Sequence, residues 1–295
     1  MKPTMTSGAP RTPGTSGAPR TPGSYPLTQL RPPRAAAWAA FRALLARDRA
    51  VLRKEAKGFV LRTVMQPLLL LFVFTYVFPT IGQGIGGAAG AREFATMLVA
   101  GVVATAMIFS GIQAVALPLV REFGYTREIE DRVLAPLPVW AVAVAKIVSG
   151  ALQALLAGLI VFPLAMVVPI DGVRLDIHWA TLLAVAPLAA VAGASLGLTI
   201  GTRVQPHQVP LMFSVIVLPM TFLGATYYPW ARLTPIPWLK VAVLANPLVY
   251  MSEGFRMALT PVPAMPAPAV YGALVGFTAL LAWLGIGGFR KRVLA

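Results

Sequence analysis

The stretch REFGYTREIEDRVLAPLPVW, residues 121–140, puts a burst of charge between two long apolar runs. The whole chain has ten acidic residues, and four of them (Glu122, Glu128, Glu130 and Asp131) fall here beside Arg121, Arg127 and Arg132. Thr126 is placed to cap a helix, and acids just after it suit the positive end of a helix dipole. Arg127–Asp131 and Glu128–Arg132 are i,i+4 pairs worth ~0.2–0.5 kcal/mol each. Tyr125, Ile129 and Val133 share one apolar edge, and Pro136 and Pro138 stop the helix before the next apolar run. The pattern predicts a short charged helix across the mouth of two spans, shaped to dock onto another protein.

The flanking runs set the fold class. The chain is 57% hydrophobic and 12% charged, with a mean hydropathy of +0.74, whereas soluble domains carry about 25% charged residues. A hydrocarbon core of ~30 Å needs roughly 20 apolar residues in a helix. Runs of that length predict an all-α membrane protein with six transmembrane helices, near 61–81, 95–120, 138–169, 178–202, 208–228 and 268–289. The third is long enough to tilt or break, with Pro163 and Pro169 towards its far end. The alternating ten-residue segments of a membrane β-barrel are not evident. The absence of cysteine excludes disulfides, thiolate metal sites and cysteine nucleophiles.

Charge placement orients the spans. Of 25 Lys and Arg residues, 20 fall on the side that holds both termini and the 121–132 loop; Arg92, Arg174, Arg232, Lys240 and Arg256 fall on the other. Both termini are therefore expected in the cytoplasm, and the net charge of +15 reflects this bias, not nucleic-acid binding. Lys146 is close enough to the cytoplasmic end to snorkel.

Residues 1–34 contain the nonapeptide TSGAPRTPG twice, at 6–14 and 15–23. Rich in Pro, Gly, Ser and Thr without apolar anchors, they are expected to be a disordered tail preceding a single membrane domain at 35–295. No short apolar core follows the basic start, so a secretory leader is not expected. From Ala35 to Phe59 the texture becomes helical. Trp38, Leu45, Leu52 and Phe59 recur every seven residues, while Arg42, Arg47, Arg49, Arg53, Lys54 and Lys57 occupy the other faces. This suits an amphipathic helix on an anionic leaflet, or one packed on a cytosolic partner. Residues 227–263, broken by Pro229, Pro235, Pro237 and Pro247, predict a short helical outer segment before the last span. A seventh span over 236–251 is the disfavoured alternative, because Lys240 and Asn246–Pro247 interrupt it.

Few side chains suggest chemistry. GQGIGG at 82–87 follows an apolar span instead of a strand and reads as a flexible turn. No P-loop occurs. His178 and His207 lack ligand spacing, so no metal is expected. Without mid-membrane carboxylates, a proton-coupled carrier or intramembrane hydrolase is disfavoured. Gln66, Gln113 and Gln153 sit in apolar sequence on three spans, either hydrogen-bonding between helices or touching a solute. Gly193, Gly197 and Gly201 make two G-x-x-x-G steps for close helix packing, inside the chain or between protomers.

EFGYTREIEDRVLAPLP, residues 122–138, resembles the segment joining the second and third spans in permeases of the type-2 ABC transporter family, closest to daunorubicin-resistance-like and nodulation-export-like members. MQPLLLLFVFTYVF (65–78) and ANPLVYMSEGFRMAL (245–259) resemble the family's first span and its outer segment, so the likeness covers roughly 36–292. The resemblance implies a bacterial inner-membrane exporter of a hydrophobic or amphipathic compound such as a drug, or alternatively of a polysaccharide or glycolipid. It implies two copies of the chain as a homodimer, two separate ATPase subunits holding ATP and Mg, a lipid bilayer around them, and no catalytic or cofactor site in the chain itself. The amphipathic helix would be the connecting helix. Glu122, Tyr125, Thr126, Arg127, Glu128, Glu130, Asp131 and Arg132 would form the ATPase-coupling helix. Asn246, Pro247, Glu253 and Arg256 would organise an outer gate, and Gln66, Phe109, Gln113 and Gln153 are the candidates for the pathway. A self-sufficient secondary carrier or channel, which needs no ATPase, is the competing class; a membrane-bound enzyme would need a catalytic constellation that the sequence lacks.

Overall fold

The computed structural model describes residues 33–82, 87–126, 137–169 and 172–294, and among them it is helical with no strand. Helix α1 spans Pro33–Lys54. The chain leaves helical geometry at Glu55 (φ −94°, ψ 10°), and α2 starts at Ala56. It continues to Thr80 through a π turn at Val73–Val77. Helix α3 spans Gly87–Arg121 and runs on through a second π turn, Glu122–Thr126. Helices α4 (Val139–Val167) and α5 (Trp179–Gly201) follow. A broken helix, α6, occupies Pro206–Phe222. Short helix α7 (Pro237–Ala242) and the 13-residue α8 (Pro247–Leu259) precede the last helix, α9 (Ala267–Leu294).

Five helices are long and apolar enough to cross a membrane: Ala56–Thr80, Gly90–Gly124, Val139–Val167, Trp179–Gly201 and Ala267–Val293. The sequence predicted a further span at 208–228. Helix α6 ends instead at Phe222, and at ~1.5 Å per residue its 17 residues cover only about 25 Å. Pro210 and Pro219 each remove an amide from its ladder, and a π turn at Phe213–Val217 separates them. Pro163, by contrast, leaves α4 continuous. The disfavoured span over 236–251 is not one helix, because Val243–Ala245 tightens into a 3₁₀ turn and Asn246 is extended.

Helix α3 is the axis of the fold. Its most apolar window is 89% buried, against 17% for α2 and for α9. A helix apolar all round satisfies its surface only when surrounded, and α3 is flanked by α4, α5 and α8. Small residues set how closely α5 approaches. A methyl group on Gly197 would lie 2.9 Å from the Gly111 carbonyl oxygen and 2.9 Å from the Ile112 Cα; one on Gly201 would lie 2.9 Å from the Ala116 Cα. Gly193 lies against Ile108 in the same way. The glycine steps are thus filled from within the chain, by α3. Gly150 of α4 fits into the same junction, where a Cβ would meet Val115 at 2.4 Å and Ala194 of α5 at 3.1 Å.

Helix α1 lies beside α4, with Leu45 and Leu52 facing a groove formed with Leu152, Leu155, Leu156 and Leu159. Phe59 is buried, while Trp38 stays 62% exposed and stacks on Phe41. The seven-residue stripe therefore turns largely towards the protein, with its first aromatic left outside.

Gly197→Val places new atoms against backbone that cannot rotate away, so the folded yield in membranes should fall sharply, by roughly 1–3 kcal/mol or more of stability. Gly276→Ala, where a Cβ meets nothing within 4 Å, should unfold at the native temperature. Thermal unfolding of the detergent-solubilised variants distinguishes the two.

Candidate functional site

At the end of the bundle where α9 begins, a buried carboxylate joins three chain segments. Glu253 and Arg256, on the first three turns of α8, are 1% and 0% exposed. Arg256 Nη1 donates to Glu253 Oε1, and Nη2 donates to the Ala225 carbonyl at 2.9 Å. Glu253 Oε1 also accepts from the Trp230 amide (2.7 Å), and Oε2 from the Met265 amide (2.8 Å). Burial pulls the Arg256 pKa below its usual value, and the Glu253 carboxylate acts in the opposite direction. Ala225 carries φ 52°, a left-handed conformation uncommon outside glycine, and the bond from Arg256 secures it. Asn246 caps α8, accepting from the Leu248 amide at 3.0 Å while its amide donates to Met220 O at 2.7 Å. Pro247 occupies the first helical turn, where its missing N–H is harmless. All four outer candidates thus belong to one polar staple joining α6, the 223–230 turn, α8 and the approach to α9.

Deeper in, the four pathway candidates line a contiguous series of cavities. Gln66 (α2), with Phe109 and Gln113 (α3), borders a narrow cleft of about 40 Å³ that also touches Thr105, Ser110 and Thr226. The Thr105 and Thr226 hydroxyls are 3.1 Å apart and tie α3 to the turn after α6. Among the described residues no acidic side chain lines this cleft. Gln113 and Arg62 also border a polar pocket of about 190 Å³ beneath α1, lined in part by Asp48, Glu55, Arg121 and Gln153. Gln153 in turn borders the α1–α4 groove, about 640 Å³ and mostly leucine-walled. Burial in a sequence pattern marks each amide singly; only the fold shows that their faces converge.

The floor of the polar pocket corrects one expectation. Lys146 does not snorkel: it is 8% exposed, and its Nζ donates to Glu122 Oε1 at 2.9 Å. Glu122 is 7% exposed and so faces inwards. Spacing carries no sign of this pairing, since Lys146 lies 24 residues away on another helix. The backbone of Tyr125 and Thr126 continues the π turn at the end of α3. Arg127, Glu128, Glu130, Asp131 and Arg132 lie outside the described residues. Beside this junction, Phe123 packs edge-on against Phe289, with Arg292 above its ring at 4.7 Å. Among the described residues no three His, Asp or Glu side chains gather as a metal site. The His178 ring pairs through Nδ1 with the Asp176 carbonyl at 3.2 Å.

Residues 39–260 match the family described as ABC-2 type transporter. The chain belongs to the ABC-2 type transporter family. It is 26% identical over 221 residues to the inner membrane transport permease YadH of Escherichia coli (strain K12), covering 73% of this chain and 82% of that protein. The YadH permease of Shigella flexneri matches to the same extent. The chain is accordingly a permease, the transmembrane component of an ABC transporter, and members of the family work with an ABC ATPase.

Glu253→Ala strips the acceptor from three buried donors and leaves the Arg256 charge unpaired. Breaking such a pair costs about 3–5 kcal/mol, enough to abolish folded protein in a marginally stable chain. Fluorescence-detected size exclusion should show loss of the monodisperse peak, with Glu122→Gln milder because its pair lies beside a polar pocket.

Proposed function

We propose that this permease forms the pathway of an ATP-driven exporter for a hydrophobic or amphipathic compound. Two copies of the chain assemble as a homodimer in a bacterial inner membrane, with both termini in the cytoplasm. Helix α6 serves as a sixth crossing beside the five long helices, completed by the turn that follows it. Two separate ATPase subunits bind ATP and Mg and seat against the 122–132 segment and α1. Their closure drives the permease between inward- and outward-accessible states, and the solute shifts that balance only by its different affinity for the two.

The observation that carries this reading is the convergence of Gln66, Phe109, Gln113 and Gln153 on one series of cavities that reaches the start of the coupling segment at Glu122. Amides and hydroxyls line the cleft, leucines wall the α1–α4 groove and charged side chains gather in the polar pocket, a division that suits a solute with an apolar body and a polar head. Among the described residues Phe109 is the single aromatic side chain along these three cavities, which favours an amphipath over a carbohydrate that would stack on several rings. The family membership, the basic bias of the terminal side and the inner-membrane naming of the YadH permeases support the same assembly.

Co-expression with candidate ATPases tests the coupling. The native chain should retain its ATPase on purification and support ATP-dependent efflux. Glu128→Arg/Asp131→Arg places like charge where the partner expects acid, so efflux should fall about tenfold or more while membrane insertion is unchanged. Efflux without any ATPase would refute the proposal, as would a double reversal that transports normally. Gln113→Leu removes a polar contact from the cleft and should raise the half-saturating concentration for a solute with a polar head, leaving ATPase binding intact.

A further inference from the structure

We infer that a groove between the end of α5 and the last turns of α9 holds an anionic phospholipid. The groove, about 640 Å³, is bordered by Arg203 on one side and by Trp283, Leu284, Gly287, Lys291 and Arg292 on the other. Its size falls in the usual range for ligand sites, ~300–1,000 Å³. It shares no lining residue with the candidate pathway.

The groove is polarised along its length. Eight residues separate Trp283 from Lys291, which is about 12 Å of helix. Trp283, 71% exposed, and Leu284 form the apolar end. That end continues into an exposed apolar face of α9 that includes Val275 and Leu280. Gly287 forms the trough between the two ends, because a Cβ there meets nothing within 4 Å. At the other end Arg203 and Lys291 are exposed, and neither has an acidic partner among the described residues. Arg292 plays a different part. It donates weakly to the Gly201 and Val204 carbonyls (3.4 and 3.3 Å) and lies over the Phe123 ring, so it builds the wall.

Two free cations above a Trp-flanked trough ask for one molecule with an anionic head and a hydrocarbon chain. A soluble acidic partner would use the cations and leave the trough empty, and a neutral apolar helix would do the reverse. Aromatic rings at the membrane interface with basic residues beyond them match one leaflet's depth profile. Because Arg292 bridges this groove to Phe123, an occupied site braces the junction from which the coupling segment departs.

The test uses the full chain in neutral detergent, titrated with phosphatidylglycerol or phosphatidylcholine of equal chain length. Bound lipid is followed by native mass spectrometry, and thermal unfolding is recorded in parallel. Phosphatidylglycerol should bind about 10- to 30-fold more tightly than phosphatidylcholine, from two basic contacts, and should raise the Tm. Arg203→Gln/Lys291→Gln should erase that preference. Gly287→Leu should weaken both lipids while leaving the lipid-free Tm unchanged, since its side chain enters open space. Equal binding of the two lipids to the native chain would overturn the inference, as would a preference that survives the double substitution. Competition by inorganic phosphate as effective as by phosphatidylglycerol would also overturn it, because the trough would then contribute nothing. The readout involves no transport, so it stands or falls independently of the exporter proposal.

Discussion

In hydrocarbon no water is present to satisfy the backbone, so every amide and carbonyl in the membrane must be paired inside the protein. That constraint makes helices of the apolar runs, and close packing must then join them, because lipid tails compete equally for apolar side chains. Helix α3 solves the second problem. Its surroundings are protein on nearly all sides, and Gly193, Gly197 and Gly201 bring the α5 backbone against it. With that pair fixed, α4 and α8 have surfaces to pack on, and α2 and α9 are left with broad exposed faces.

Polar groups then differentiate the two ends. The outer staple is over-determined: Glu253 accepts from three donors, and Arg256 reaches across to a strained Ala225. Such a node resists local opening, because removing any strand of it leaves a buried group unsatisfied. The inner end is built more loosely. The Lys146–Glu122 pair borders a polar pocket, α1 crosses over it with grooves on either side, and a π turn ends α3 there. A rigid end at the Glu253 staple and a hollow end at Glu122 suit the proposed exporter, driven from the side where the coupling segment is proposed to begin.

Much of this was legible in the sequence because apolar length and charge exclusion are strong signals. All-helical architecture, the five long helices, the break of the outer segment at Asn246–Pro247 and the family itself were readable from residues alone. Helix limits were less so. Pro163 was suspected of breaking α4 and did not, since an interior proline costs one hydrogen bond in a helix otherwise well packed. Pro210 and Pro219, close together on an exposed helix, did interrupt α6. Pairings between helices were not legible. Nothing in the spacing of Glu122 and Lys146 announces their contact, and nothing in three scattered glutamines says that they border the same cavities. The pairing of Glu253 with Arg256 was easier, being one helical turn apart, but its backbone donors at Trp230 and Met265 come from the loops. The coupling residues from Arg127 to Arg132 lie outside the described residues, and their part rests on the resemblance and the charge pattern.

The chain contains no cysteine, so a single introduced thiol reports on one place. Gln113→Cys, at the junction of cleft and polar pocket, tests the central claim most directly in membranes that contain the ATPase partner. The account predicts rapid labelling by a membrane-impermeant thiol reagent from the cytoplasmic side in the nucleotide-free state, and strong protection when ATP holds the ATPase subunits closed. Labelling that is absent from the cytoplasmic side, or that is the same with and without ATP, would contradict it.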